Sequence, residues 1–105
     1  MIGAYAVKAP IPLKDGSVIP KGAAINVAWN AEYPAGSSEV TYEGRILRLR
    51  GQTIGRAIAG KVPTIRTLER WDSVGVCKTP TGATVEPDGI DARGCPSWLL
   101  LMGVI

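Results

Sequence analysis

The chain has no histidine and no phenylalanine among its 105 residues. Without histidine, the general base best matched to neutral pH and the commonest imidazole metal ligand are both missing. Only two cysteines are present, Cys77 and Cys95, and they form no C-x-x-C pair, so neither a metal nor a cofactor is expected. No G-x-S-x-G elbow occurs, and Gly51 and Gly55 are not followed by the Lys-Ser/Thr of a phosphate loop. These absences argue against an enzyme. The N-terminal stretch from Met1 to Tyr5 has no charged segment followed by an apolar run, which predicts a cytoplasmic protein with both thiols free. The apolar ending Trp98-Leu99-Leu100-Leu101-Met102-Gly103-Val104-Ile105 is far shorter than the ~20 residues that cross a bilayer. It reads as a tail that docks on the core, and no membrane partner is expected.

What is present fits one domain, residues 1–105, of the α+β class. Lacking phenylalanine, the core must take its bulk from Trp29, Trp71, Trp98, the tyrosines and the aliphatic residues. Ile2 to Val7 reads as a strand interrupted by Pro10 and Pro12. Lys14-Asp15-Gly16-Ser17 and Pro20-Lys21-Gly22 read as turns. Ile25, Val27 and Trp29 alternate with Ala24, Asn26 and Ala28, the period of a half-buried strand. Tyr33 to Ser38 reads as a loop. Val40–Tyr42 and Arg45–Arg50, joined at Glu43-Gly44, form a predicted hairpin with Leu47 and Leu49 on one face and Arg48 and Arg50 on the other. The expectation is a small antiparallel sheet, SH3-like, or a partly open barrel.

Helical signals come next. Gln52–Ala59 reads as a short helix, although Gly55 weakens it by roughly 1 kcal/mol relative to alanine. The main helix is predicted near 64–74: Thr64 is a good N-cap, Ile65, Leu68 and Trp71 make an apolar stripe, and Gly75 suits the left-handed C-terminal position. A second hairpin is predicted near 76–86, with Thr79-Pro80-Thr81-Gly82 as its turn. Pro87-Asp88-Gly89 reads as a further turn, and Ser97 as an N-cap before Trp98. Trp98 and Leu100 are the expected docking residues of the tail.

The last third carries a recognisable pattern. Val85-Glu86-Pro87-Asp88-Gly89 is followed, after a short gap, by Pro96-Ser97-Trp98-Leu99-Leu100, then Gly103 and Ile105. This resembles small uncharacterised phage and prophage proteins that end in V-E-P-D-G and P-S-W-L-L-x-x-G-x-I. The likeness covers about the last 40 residues. It implies a protein made inside an infected or lysogenic bacterium, and it implies no activity.

One segment is distinctly basic. Arg45, Arg48, Arg50, Arg56, Lys61, Arg66 and Arg70 face a single acid, Glu69, a local charge of +6 within a chain of net charge +3. Concentrated arginine suits a phosphate backbone or an acidic protein, so Arg45, Arg48, Arg50, Arg56, Arg66 and Arg70 are the candidate binding residues. The same arginines would equally serve as a solvated face paired with acids such as Glu69 and Asp72. The run Arg66-Thr67-Leu68-Glu69-Arg70-Trp71, followed by a glycine and a hairpin, also resembles the recognition helix and wing of excisionases and MerR-type winged-helix proteins. That resemblance implies DNA contact by Arg66, Thr67 and Arg70, with Leu68 and Trp71 as anchors. Against it, the hairpin offers one base, Lys78, and Glu86, Asp88 and Asp91 lie just beyond. Two function classes stay open, a protein-interaction module and a nucleic-acid-binding accessory protein. Glu86, Asp88 and Asp91 read as a solvated turn rather than a cation loop. Cys77 reads as a small buried residue.

Overall fold

The computed structural model describes residues 2–105. Strand β1 (Ile2–Ala6) leads into a small hairpin of β2 (Ile11–Pro12) and β3 (Val18–Ile19). Then come β4 (Ala24–Ala28), β5 (Ser37–Tyr42) and β6 (Arg45–Arg50). Helix α1 (Gly51–Ala59) follows β6 directly, and α2 (Ile65–Val74) follows after a short connection. Strands β7 (Cys77–Lys78) and β8 (Thr84–Val85) form the second hairpin, and α3 (Trp98–Leu101) ends the chain.

The main sheet is antiparallel with order β1-β4-β5-β6. It is an open sheet with β1 and β6 at its edges, not a closed barrel. Alternation selects its buried face: Tyr5, Ile25, Val27 and Val40 point into the core, and Ala4, Asn26, Glu39 and Thr41 point to solvent. Trp29 and Tyr5 supply the aromatic bulk. Their rings meet edge to face at 6.2 Å, and the Trp29 Nε1–H donates to the Tyr5 hydroxyl at 3.0 Å. The β5–β6 connection is a two-residue loop with Glu43 at φ 48° and Gly44 at φ 76°. Positive φ at both positions matches the right-handed twist of the flanking strands, which fixes their register.

Both expected helices form. Thr64 Oγ1 accepts from the Thr67 N–H at 3.2 Å and caps α2, and Gly75 closes it at φ 75°. The apolar stripe of α2 is narrower than its spacing implies. Leu68 is buried and Trp71 half-buried, but Ile65 is 75% exposed. Ile65 is the first helical residue, one turn ahead of the point where α2 meets α3 and β7, so nothing covers it.

The first half of the tail docks, with one correction in its register, and Val104 and Ile105 stay about half exposed. Trp98 is 3% exposed, Leu99 and Leu101 are buried, and Leu100 is only half-buried. Three of the four residues of a single helical turn point inward because α3 is lodged between α1, α2 and β7. Ser97 Oγ accepts from the Leu100 N–H at 3.2 Å and caps the turn. The penalised glycine of α1 now has a cause. A Cβ on Gly55 would lie 3.1 Å from the Trp98 ring and 3.1 Å from Pro80. Any side chain at this position would require the indole or Pro80 to give way by a few tenths of an ångström.

Gly55→Ala should therefore lower the melting temperature, although the same change on an open helix gains up to ~1 kcal/mol. Leu99→Ala should cost about 2–5 kcal/mol and Leu100→Ala about 1 kcal/mol or less. Thermal and urea unfolding of the three variants measures both, and equal losses for Leu99 and Leu100 would contradict the docking register.

Candidate functional site

The structure divides the basic segment. Arg45, Arg48 and Arg50 lie on β6, Arg56 on the solvent side of α1, and Arg66 and Arg70 one turn apart on the exposed side of α2. The β6 arginines and the α2 arginines line no common groove. Arg45 pairs with Asp15 of the β2–β3 turn at 3.2 Å, with both side chains about half exposed. Solvent screens such a surface pair, so it contributes little to stability. Among the described residues no ion pair holds Arg48, Arg50, Arg56, Arg66 or Arg70, so the expected pairing with Glu69 or Asp72 does not form.

The two sides of β6 carry different chemistry, as the alternation implied. Leu47 and Leu49 lie on the core side and are half-buried, and Ile46, Arg48 and Arg50 lie on the outer side, exposed. The register pairs Tyr42 with Arg45, Val40 with Leu47 and Ser38 with Leu49. A two-residue loop makes its flanking pair the closing hydrogen-bonded pair, and bonded pairs then recur at every second residue. The Gly51 N–H donating to the Gly36 carbonyl at 2.8 Å is the next step of that series. The backbone N–H groups of Ile46, Arg48 and Arg50 and the carbonyls of Ile46 and Arg48 therefore point away from β5, along an edge with no strand beside it.

A groove of about 540 Å³ runs along this edge, between β6 and the β2–β3 hairpin. Pro12, Leu13, Leu47 and Leu49 supply apolar surface, while Lys14, Arg48 and Arg50 supply positive charge. The one acid in the lining is Asp15, already engaged by Arg45. Sequence reasoning found the arginines but missed Lys14 and the leucine floor. Their proximity depends on a contact between segments thirty residues apart, which no local pattern reports. The opposite edge differs. Beside β1 lie Pro80, Thr81 and Arg93, and the Arg93 guanidinium sits 5.0 Å from the Tyr5 ring centroid.

The helix-and-wing arrangement is only partly present. α2 packs on α3 and β7, whereas α1 packs on β6 and α3. Thr67 is half-buried and bonded to Thr64 rather than displayed beside Arg66 and Arg70. A second groove, of about 410 Å³, lies behind α2 and is lined by Pro63, Thr67, Trp71, Lys61 and Lys78.

The chemically suggestive residues of the last third are used internally. Asp91 Oδ2 accepts from the hydroxyls of Thr81 at 2.7 Å and Thr79 at 3.1 Å. Its Oδ1 accepts from the backbone N–H groups of Arg93 at 2.8 Å and Cys95 at 3.0 Å. Partial burial pushes this carboxyl upward, but the four hydrogen bonds outweigh it and hold it below its ordinary value of 3.8. Glu86 and Asp88 remain exposed on the turn closed by the Gly89 N–H to the Glu86 carbonyl. Ser97 donates its hydroxyl to the Pro87 carbonyl and its N–H to the Gly89 carbonyl. The V-E-P-D-G and P-S-W segments are thereby tied to each other. Cys77 and Cys95 are free and buried, and burial, aided by Asp91, pushes the Cys95 thiol far up, which leaves it without nucleophilic thiolate.

Because the Asp91 carboxyl is depressed in the folded state, its contribution is complete above the ordinary carboxylate range and is lost as pH falls through the depressed value. Asp91→Asn should be less stable than the parent at neutral pH and should show a shallower fall in melting temperature between about pH 5 and about pH 2. Parallel acid limbs for the two proteins would contradict the hub role of Asp91. Comparison with family models, with curated proteins and with solved structures finds no match for this chain.

Proposed function

We propose that the chain is a small non-enzymatic accessory protein of phage or prophage type that binds a macromolecule in the bacterial cytoplasm through the edge of β6. The observation that carries this reading is the pair Arg48 and Arg50. Both are exposed, and no carboxylate lies within ion-pair distance of either among the described residues. They flank an apolar floor on a strand edge whose backbone is unpaired. An arginine pair that, among the described residues, forms no ion pair and stands beside half-buried apolar surface suits a negatively charged macromolecular partner.

The non-enzymatic part rests on how the polar groups are used. The Asp91 carboxylate, the Ser97 hydroxyl and the Cys95 thiol are engaged or buried in holding the last third together. No histidine is available to replace them. A winged-helix regulator reading α2 into DNA is less well supported, since Thr67 turns inward and α1 does not pack beside α2 as a supporting helix.

Fluorescence anisotropy with a labelled duplex, a labelled single strand and polyglutamate tests the proposal at about 50 and about 200 mM salt. At least one polyanion should bind and weaken with salt. Arg48→Glu combined with Arg50→Glu should lower affinity at least tenfold, about 1.4 kcal/mol, and Arg66→Glu with Arg70→Glu should leave it within twofold. Absence of binding at the lower salt would remove the proposal. Duplex binding that depends on Arg66 and Arg70 instead would replace it with the DNA-regulator reading.

A further inference from the structure

We infer that the groove beside β6 receives an extended acidic peptide segment of a partner protein, which adds to the main sheet as a fifth strand. The inference deepens the proposed function and rests on its assignment of the binding surface to the β6 edge.

The backbone makes the first argument. Ile46 and Arg48 each present an outward N–H and an outward carbonyl, and Arg50 an outward N–H, on the register set by Tyr42 and Arg45. An added strand offers donors and acceptors alternately at the same spacing and can pair all of them. A nucleic-acid backbone offers phosphate acceptors at a different repeat and no regular donors, so the Ile46 and Arg48 carbonyls would lose water without gaining partners.

The side chains make the second argument, because the alternation of β6 dictates that of its neighbour. Residues of the added strand on the core side would meet the half-buried Leu47 and Leu49 and the facing Leu13 and Pro12. Residues on the outer side would stand beside Arg48 and Arg50. On its β5 side Arg48 is opposite Glu39 and Arg50 is opposite Ser37. The partner side of both arginines is open. The pattern that fits is apolar and acidic in strict alternation, over the ~20 Å that the six residues of β6 span.

Charge also decides against a second copy of this chain. Two β6 edges brought together would set arginine against arginine, the usual way in which native edges avoid self-pairing. The same charges attract an acidic strand. Asp15 does not oppose this, since Arg45 already holds it at 3.2 Å.

The test uses the full chain, isotope-labelled, and a synthetic peptide of about seven residues alternating valine and aspartate. A second peptide of the same sequence carries N-methyl groups on alternate amides, which removes donors without changing charge. A third replaces aspartate by lysine. The aspartate peptide should bind saturably and shift the amide resonances of Ile46, Arg48 and Arg50 more than those of α2. The N-methyl and lysine peptides should bind at least tenfold more weakly, and Arg48→Glu with Arg50→Glu should weaken the aspartate peptide by a similar factor. Both substituted residues are exposed, and an unchanged melting temperature confirms that the variant is folded.

Equal binding of the N-methyl peptide, or shifts confined to α2 or to the Trp71 groove, would overturn strand addition. If polyglutamate or DNA binds through Arg48 and Arg50 while the aspartate peptide does not, strand addition falls and the surface assignment stands. If nothing binds, both fall.

Discussion

The buried Trp98 indole packs against α1 at Gly55, where a Cβ would lie 3.1 Å from its ring. The main sheet has one apolar face, and α1, α2 and β7–β8 do not enclose that face by themselves. The single turn of α3 lies between α1, α2 and β7 and closes the space between them. Its docking uses the Cβ-free surface of α1 at Gly55, a capped N-terminus at Ser97 and a fixed approach of the preceding loop. Asp91 provides that approach through four hydrogen bonds spanning Thr79 to Cys95. The last third thus supports the core. Its polar groups hold one another and its large side chains complete the core.

The core is satisfied from one side of the sheet, and this leaves the outer edge free. β1 runs beside the Pro80–Thr81 turn and Arg93, parts of the same C-terminal region that holds α3. β6 has no equivalent neighbour. The β2–β3 hairpin reaches toward it, with Leu13 beside Leu47 and Leu49 and Asp15 paired with Arg45. The result is a groove with apolar and cationic sides along an unpaired backbone. No helix of the described residues is long and apolar enough to cross a membrane.

Much of the fold was legible in the sequence because its determinants are local. The alternation of Ile25, Val27 and Trp29, the Glu43-Gly44 turn, the Thr64 cap and the Gly75 stop each act within a few residues, and each appears where its chemistry places it. What stayed hidden depends on distant segments. Ile65 has helical spacing but no element above it. Leu100 yields its place in the core to Leu99 and Leu101 because α3 is lodged between α1, α2 and β7. Gly55 reads locally as a defect and is explained only by Trp98, forty-three positions later in the sequence. Of the candidate site, the arginines were visible as a cluster. Their division between a strand and a helix was legible too, but Lys14 and Leu13 join the strand arginines only through tertiary packing.

Amide hydrogen exchange, read residue by residue on the free protein, reports whether the β6 edge is open. The account predicts alternation along one strand: slow exchange at Leu47 and Leu49, whose N–H groups face β5, and exchange near the unstructured rate at Ile46, Arg48 and Arg50. Uniform protection from Arg45 to Arg50 would mean that the edge is already covered, and would contradict the account.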